Sequence, residues 1–503
     1  MDFKPEFFED EIRRGFYVPT MLKRGWAASM EVLEDIDRIC KKYGLTYFAH
    51  LGTLIGAIRH GGFIPWDDDI DICMKRADYM RFLEVAEKEL PDNYALFNVF
   101  KKDRHDASLC GVLNTVAVRT DSEFLEKYHG CSAIVGVDIF VLDYLPRDME
   151  QQEQFAEALD FVYSLIAQYD ELTLEQQLQQ LSLVKEILGV EISVSDPERT
   201  PTFQLGQLLE QLCMLYGEED ADEITNIMTW QGARDRHFKK EWFDSVEYRD
   251  FEGFQMPIPV GYDGYLSVVY GDYMTEYRHG AAHAFPHFLD GYYAGKREMG
   301  LPIYVPTFLP LPRPEVDKAN KEVLFITMGE KWWHDMDWAF KKVRSENPDA
   351  NIKVMNIPYY VKNYVGDGVE KVYDPIMLQG VTMVDCEEYD LQMGHPDVIY
   401  FQAPWNEYHE MYEVESKYYV ENLQAASDYL VYVPVGQMPV LDEDDGCGLK
   451  MLLHGCNYPG TYVADRIEVS DAKKANYLMA LGGYTGDESL LIWAKKFNLN
   501  IEA

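Results

Sequence analysis

Residues 67–72 read Asp67-Asp68-Asp69-Ile70-Asp71-Ile72 and follow directly on Gly61-Gly62-Phe63-Ile64-Pro65-Trp66. Read as a strand, the run places Asp67, Asp69 and Asp71 on one face and Asp68, Ile70 and Ile72 on the other, because side chains alternate along extended backbone. Carboxylates held this close repel one another unless a cation sits among them. Hard oxygen ligands of this kind suit Mg2+ or Mn2+, so the stretch is expected to be a metal site.

The chain around it has a readable order. From Met21 to Tyr43 the apolar positions Leu22, Trp26, Met30, Leu33, Ile36 and Cys40 recur three or four apart, which predicts an amphipathic helix ended by Gly44. Leu45 to Ala49 predicts a strand, and Gly52-Thr53 is expected to open a short helix running to about His60. A helix from about Ala77, strands over Val112–Arg119 and Ala133–Leu142, and helical stretches over 149–188 and 203–228 follow. Asp138 lies inside the second of those strands, flanked by Val137 and Ile139, where a lone acid is costly unless paired or metal-bound. It is therefore the expected third carboxylate.

Residues 301–314 contain five prolines, too many for a helix or a central strand. We place a linker at 301–319 and a domain on either side, 1–300 and 320–503. Beyond it, Glu322–Thr327, Ile352–Ile357, Asp397–Phe401 and Asp428–Val433 are continuous apolar runs, the mark of strands buried on both faces of a parallel sheet. Helical stretches at Trp338–Arg344 and Tyr418–Ala426 alternate with them. The fold class is thus α/β: a first domain with a mixed sheet and a second that is Rossmann-like. Met328-Gly329-Glu330 after the first of these strands is not a dinucleotide fingerprint.

With 86 acidic against 46 basic side chains, the formal charge of -40 repels a nucleic-acid backbone and an anionic lipid surface. A phosphate ligand must then be held locally, by metal and a few placed cations. Eight cysteines without Cys-x-x-Cys spacing, a charged N-terminal stretch and no long apolar run point to a cytoplasmic protein with no transmembrane segment.

Phosphoryl transfer needs charge neutralised on the non-bridging oxygens, a positioned nucleophile and help for the leaving oxygen. Asp69, Asp71 and Asp138 are the expected catalytic metal ligands, with one or two Mg2+ or Mn2+ ions. Thr53 would open a helix whose N–H groups favour a phosphate, and Arg59 and His60 would place charge or donors on a diphosphate.

Taken together, Gly52-Thr53, Arg59-His60, Gly62-Phe63-Ile64-Pro65-Trp66-Asp67-Asp68-Asp69-Ile70-Asp71, Val137-Asp138-Ile139-Phe140 and Tyr270-Gly271-Asp272-Tyr273-Met274 resemble the LicD family of phosphocholine transferases and the fukutin-related proteins. That family belongs to the polymerase-beta-like nucleotidyltransferases. The resemblance covers roughly the first 300 residues. It implies metal-dependent transfer of a phospho-alcohol group from a CDP-linked donor to a sugar hydroxyl of a surface glycan or teichoic acid precursor, with release of CMP. Gly52, Thr53, Arg59, His60, Trp66, Asp68, Tyr262 and Tyr265 would line the substrates, and contact with membrane-linked precursors would be transient. The second domain is similar to the N-terminal half of CDP-glycerol glycerophosphotransferases, on His395-Pro396-Asp397-Val398-Ile399-Tyr400, Ala403-Pro404-Trp405-Asn406-Glu407 and Asp428-Tyr429-Leu430-Val431-Tyr432-Val433-Pro434. This similarity implies acceptor binding or a subunit contact.

Other readings remain open at this level. The first domain would equally suit a nucleotidyltransferase acting on a sugar or alcohol phosphate, or a glycan-binding protein that kept the fold. Arg59 and His60 would serve as a helix C-terminal cap, and Trp66, Tyr262, Tyr265 and Tyr270 either stack on a ligand or fill core. Lys239, Lys240 and Arg119 are candidate phosphate contacts. His279, His283 and His287 recur every four residues, as zinc ligands on a helix would, but Pro286 interrupts that helix.

Overall fold

In the computed structural model the described residues are 1–100, 110–196, 199–278, 285–301, 303, 322–362, 368–436, 446–469, 476–478, 480–482, 484 and 490–497. His279 and His283 lie outside them, as does the expected linker apart from 301 and 303. The chain divides into two compact units, Met1–Phe3 with Arg24–Met274 and Lys4–Lys23 with Thr275–Ala503. The division thus falls before the proline-rich stretch, and an N-terminal segment belongs with the second unit.

That segment is a hairpin, β1 (Glu11–Arg13) and β2 (Phe16–Val18). It is tied into the second unit by buried groups far away in sequence. Tyr17 donates its N–H to Asn457 Oδ1 at 3.0 Å, and its carbonyl accepts the Tyr484 hydroxyl at 2.9 Å. Local sequence carries no sign of such pairing.

In the first unit the amphipathic helix Thr20–Tyr43, of which Arg24 onward belongs here, buries Trp26, Met30, Leu33 and Ile36. A seven-stranded mixed sheet is built from β3 (Phe48–Ala49), β4 (Asp71–Lys75), β5 (Ala95–Phe97), β6 (Cys110–Leu113), β7 (Gly136–Leu145), β8 (Glu223–Thr225) and β9 (Phe238–Lys239). Its order is β3-β4-β7-β6-β5, with β8 pairing the far end of β7 and β9 pairing β8. β4 and β7 run parallel and their other neighbours antiparallel. A hairpin of β10 (Val246–Phe251) and β11 (Phe254–Pro259) leads into the helix Tyr262–Tyr270.

Two expected helices are shorter. The stretch 149–188 is broken at Tyr169–Glu171 and restarts under a capping box at Thr173 and Gln176. The expected helix 203–228 stops at Cys213, and β8 follows because Glu223–Thr225 finds β7 as a partner. The helices Met149–Gln168, Leu174–Leu188 and Pro201–Cys213 share a separate core around Leu159, Val162, Val184 and Leu205.

The second unit holds β12 (Glu322–Thr327), β13 (Asn351–Asn356), β14 (Tyr359–Lys362), β15 (Val369–Val372), β16 (Thr382–Val384), β17 (Val398–Phe401), β18 (Tyr412–Val414), β19 (Tyr429–Tyr432) and β20 (Arg466–Ile467). Six of them form an all-parallel sheet in the order β16-β13-β12-β17-β19-β20. Val323 and Phe325 face the helix Glu330–Glu346 through Met336, Ala339 and Phe340, while Leu324 and Ile326 are also buried. Burial on both faces is why these strands are unbroken apolar runs. A three-stranded antiparallel sheet, β15-β14-β18, completes the unit.

Candidate functional site

The expected alternation along 67–72 does not hold, because extended pairing begins only at Asp71. Upstream, the chain turns at Pro65-Trp66, with the Asp67 N–H donating to the Ile64 carbonyl at 2.9 Å and the Asp68 N–H to Asp67 Oδ1 at 3.2 Å. Asp68 is consequently not on an opposite face. Carboxylate oxygens of Asp67, Asp68 and Asp69 lie within 4.8 Å of one another, and Asp68 is fully buried.

Asp71 and Asp138 are direct neighbours across the parallel β4–β7 pair, and the Asp138 N–H donates to the Ile70 carbonyl at 2.9 Å. Adjacent strands lie about 4.8 Å apart, so two acids in register project together from one sheet face. Burial, then the carboxylates of Asp69, Asp138, Asp67 and Asp68 in that order, push the Asp71 carboxyl well above the usual carboxylate range. Five acids therefore share one electrostatic site. Such an all-oxygen set fits a divalent Mg2+ or Mn2+ ion, which would relieve the repulsion.

Two glycines leave space beside these carboxylates. A Cβ on Gly52 would stand 2.5 Å from Asp67 Oδ2, and one on Gly111 would stand 2.8 Å from Asp138 Oδ1. Thr53 is buried, and its Oγ1 accepts the Asp71 N–H at 2.8 Å. The helix here begins at Leu51, not Thr53, and continues as a π-turn over Gly56–His60 to Gly61 in the left-handed region. Thr53 thus holds the strand that bears Asp71.

Arg59 Nη1 donates to the Tyr273 carbonyl at 2.7 Å, which ties the Arg-His pair to the Tyr270–Met274 segment. His60 meets Trp66 edge to face at 6.3 Å. Trp66 is only 5% exposed, so most of its ring is core. Tyr265, expected on substrate, is buried with its hydroxyl 3.0 Å from His50 Nδ1 and its ring against Phe238 and Phe243. Tyr262 lies under the Arg249 guanidinium at 5.8 Å. Tyr270 also feels the acids: burial of its hydroxyl, then Asp71 and Asp67, raise its pKa, with Arg236 opposing.

Lys239 and Lys240 line a cavity of about 670 Å3 with Leu145 and Arg147. That is the other end of β7 from Asp138, roughly 20 Å along the strand. Arg119 pairs with Asp121 at 2.7 Å on the surface. None of the three is brought to the acids.

Residues 44–114 match the family "LicD/FKTN/FKRP, nucleotidyltransferase domain". This span contains Gly52, Thr53 and Asp67–Asp71, and Asp138 joins them by strand pairing. The chain is similar to the lipopolysaccharide cholinephosphotransferase LicD of Haemophilus influenzae, 27% identical over 251 residues, which is 49% of this chain and 88% of that protein. It also resembles an uncharacterized protein of Rickettsia typhi, 36% identical over 55 residues (11% of this chain, 18% of that protein), and one of Rickettsia prowazekii, 26% over 103 residues (20% and 39%). No described helix is long and apolar enough to cross a membrane.

Proposed function

We propose that this chain, whose residues 44–114 match the LicD/FKTN/FKRP nucleotidyltransferase domain, transfers a phospho-alcohol group, phosphocholine or a close analogue, from a CDP-linked donor to a sugar hydroxyl of a cell-surface glycan precursor. The observation that carries the proposal is the convergence of Asp67, Asp68 and Asp69 beside the in-register pair Asp71 and Asp138.

Asp69, Asp71 and Asp138 would hold Mg2+ or Mn2+, with Asp67 and Asp68 adding negative charge around them. Bound there, a divalent cation supplies charge neutralisation for the diphosphate and acidifies a nearby hydroxyl. Arg59, anchored on the Tyr273 carbonyl, brings positive charge toward the donor phosphates. The sugar oxygen forms its bond to the distal phosphorus, the bond from that phosphorus to the CMP oxygen breaks, and the hydroxyl proton passes to the carboxylate cluster. Thr53 and Gly52 act by position, the first fixing Asp71 and the second admitting Asp67.

The test is CMP release from CDP-choline, CDP-ethanolamine, CDP-glycerol and CDP-ribitol with glycan acceptor and Mg2+ or Mn2+, beside thermal shifts. One donor should raise the melting temperature only with metal, and Asp69→Asn, Asp71→Asn and Asp138→Asn should each abolish that rise. A melting curve indifferent to every donor and metal sinks the proposal. Release of the alcohol phosphate, phosphocholine from CDP-choline, with CMP carried onto the acceptor, would reassign the chemistry to nucleotidyl transfer.

A further inference from the structure

The second unit has a cavity of its own, of about 220 Å3. Pro404, Trp405, His409 and Glu410, which follow β17, and Tyr432, which ends β19, line it. It therefore opens beyond the carboxyl ends of parallel strands. In the order β16-β13-β12-β17-β19-β20 the chain builds outward one way from β12 and the other way from β17. Open α/β sheets gather ligands outside the carboxyl ends near such a reversal.

The polar groups on its wall are mostly donors. Arg278 is 5% exposed; its Nη1 donates to the Asn457 carbonyl at 2.9 Å and its Nη2 to the Arg14 carbonyl at 2.5 Å, which fixes the guanidinium in place. His409 Nδ1 accepts the N–H groups of Met411 at 2.9 Å and Tyr412 at 3.2 Å, so its proton sits on Nε2 as a donor. Trp405 is 3% exposed, and its indole N–H has no acceptor among the described residues. A buried donor left so is costly. Against these stands one carboxylate on the wall, Glu410.

The walls themselves are rings. His409 stacks on Tyr458 at 5.8 Å and meets Trp405 at 4.8 Å. Arg278 already covers Tyr458 at 4.5 Å, and that fixed cation disfavours a second one such as a quaternary ammonium. The cavity is also smaller than the roughly 300–1,000 Å3 of sites for larger organic ligands, which argues against a whole nucleotide.

We propose that this cavity binds a monosaccharide phosphate, its ring against Trp405 and His409, its phosphate oxygens accepting from Arg278 and the Trp405 N–H, and its hydroxyls donating to Glu410. The assignment does not rest on the transferase reading of the first unit.

The experiment uses the full chain without metal or CDP-linked donor, and reads calorimetric binding of glucose 1-phosphate and galactose 1-phosphate against glucose, inorganic phosphate and phosphocholine. One hexose phosphate should bind at least tenfold more tightly than glucose, phosphate or phosphocholine. Trp405→Phe, which keeps an aromatic ring and removes the donor, and Glu410→Gln should each weaken it about tenfold, Glu410→Gln with an unchanged melting temperature. Asp71→Asn should bind as the parent does. The proposal is overturned if no hexose phosphate binds saturably, if phosphate or phosphocholine binds as tightly, if both cavity variants bind like the parent, or if Asp71→Asn abolishes binding.

Discussion

The hydroxyl of Thr53 accepts the backbone N–H of Asp71 at 2.8 Å. A helix residue thereby satisfies the first donor of the strand that carries a central acid of the site, and sets where that acid starts. Thr53→Val leaves the Asp71 N–H buried without this acceptor, which costs about 1–3 kcal/mol. Thr53→Ser should restore most of it. We expect CMP release to fall with Val and recover with Ser, and urea unfolding of both variants checks the stability half.

Asp71→Asn should stabilise the metal-free protein while abolishing transfer. Burial and four neighbouring carboxylates raise the Asp71 pKa above its unfolded value. A raised carboxyl contributes stability that is fully present below the unfolded pKa of about 3.9 and is lost as pH rises through the folded value. Without metal, the parent should therefore lose more stability between pH 5 and pH 7.5 than Asp71→Asn does. Mg2+ at pH 7.5 should raise the parent's melting temperature and leave the variant's unmoved. Equal pH slopes for the two proteins would refute this account.

Gly52→Ala places a methyl 2.5 Å from Asp67 Oδ2 and must displace that carboxylate. Displacing a group that orients a metal site typically costs 10–100-fold in affinity or activity. A Mn2+ titration of Gly52→Ala should show weakening of about tenfold or more.

Arg76 binds Asp143 through Nε and Nη2 at 2.7 Å each and also pairs with Glu210, all three largely buried. Removing the cation strands two acids in the interior. Arg76→Met should lose about 3–5 kcal/mol in denaturant unfolding. Adding Asp143→Leu and Glu210→Leu to it should recover much of the loss.

Much of this was legible in the sequence for one reason, that burial leaves a period. The strand Glu322–Thr327 matches its expected bounds because both of its faces are buried, and the helix Thr20–Tyr43 matches within a residue because its stripe repeats three or four apart. Asp138 was legible because an acid amid Val137, Ile139 and Val141 needs a cause. Asp68 was misplaced because the alternation of the strand that starts at Asp71 was carried back to Asp67, where the chain is still leaving the turn closed by Asp67 N–H on the Ile64 carbonyl, and Pro65 was the available signal. Tyr265 shows a different limit: an aromatic reads alike in a pocket and in a core, and only the neighbours His50, Phe238 and Phe243 separate the two. The attachment of the N-terminal hairpin left no local trace, since its partners Asn457 and Tyr484 lie at the other end of the chain.

The parallel pairing of β4 with β7 also fixes when the acids become a site. Contacts between segments so distant in sequence close late and slowly. Until they do, Asp138 is merely one solvated acid on a long loop. With the cation site proposed above, a stopped-flow trace of Mn2+ capture during refolding would serve as a clock for sheet closure and should lag the first gain of helix.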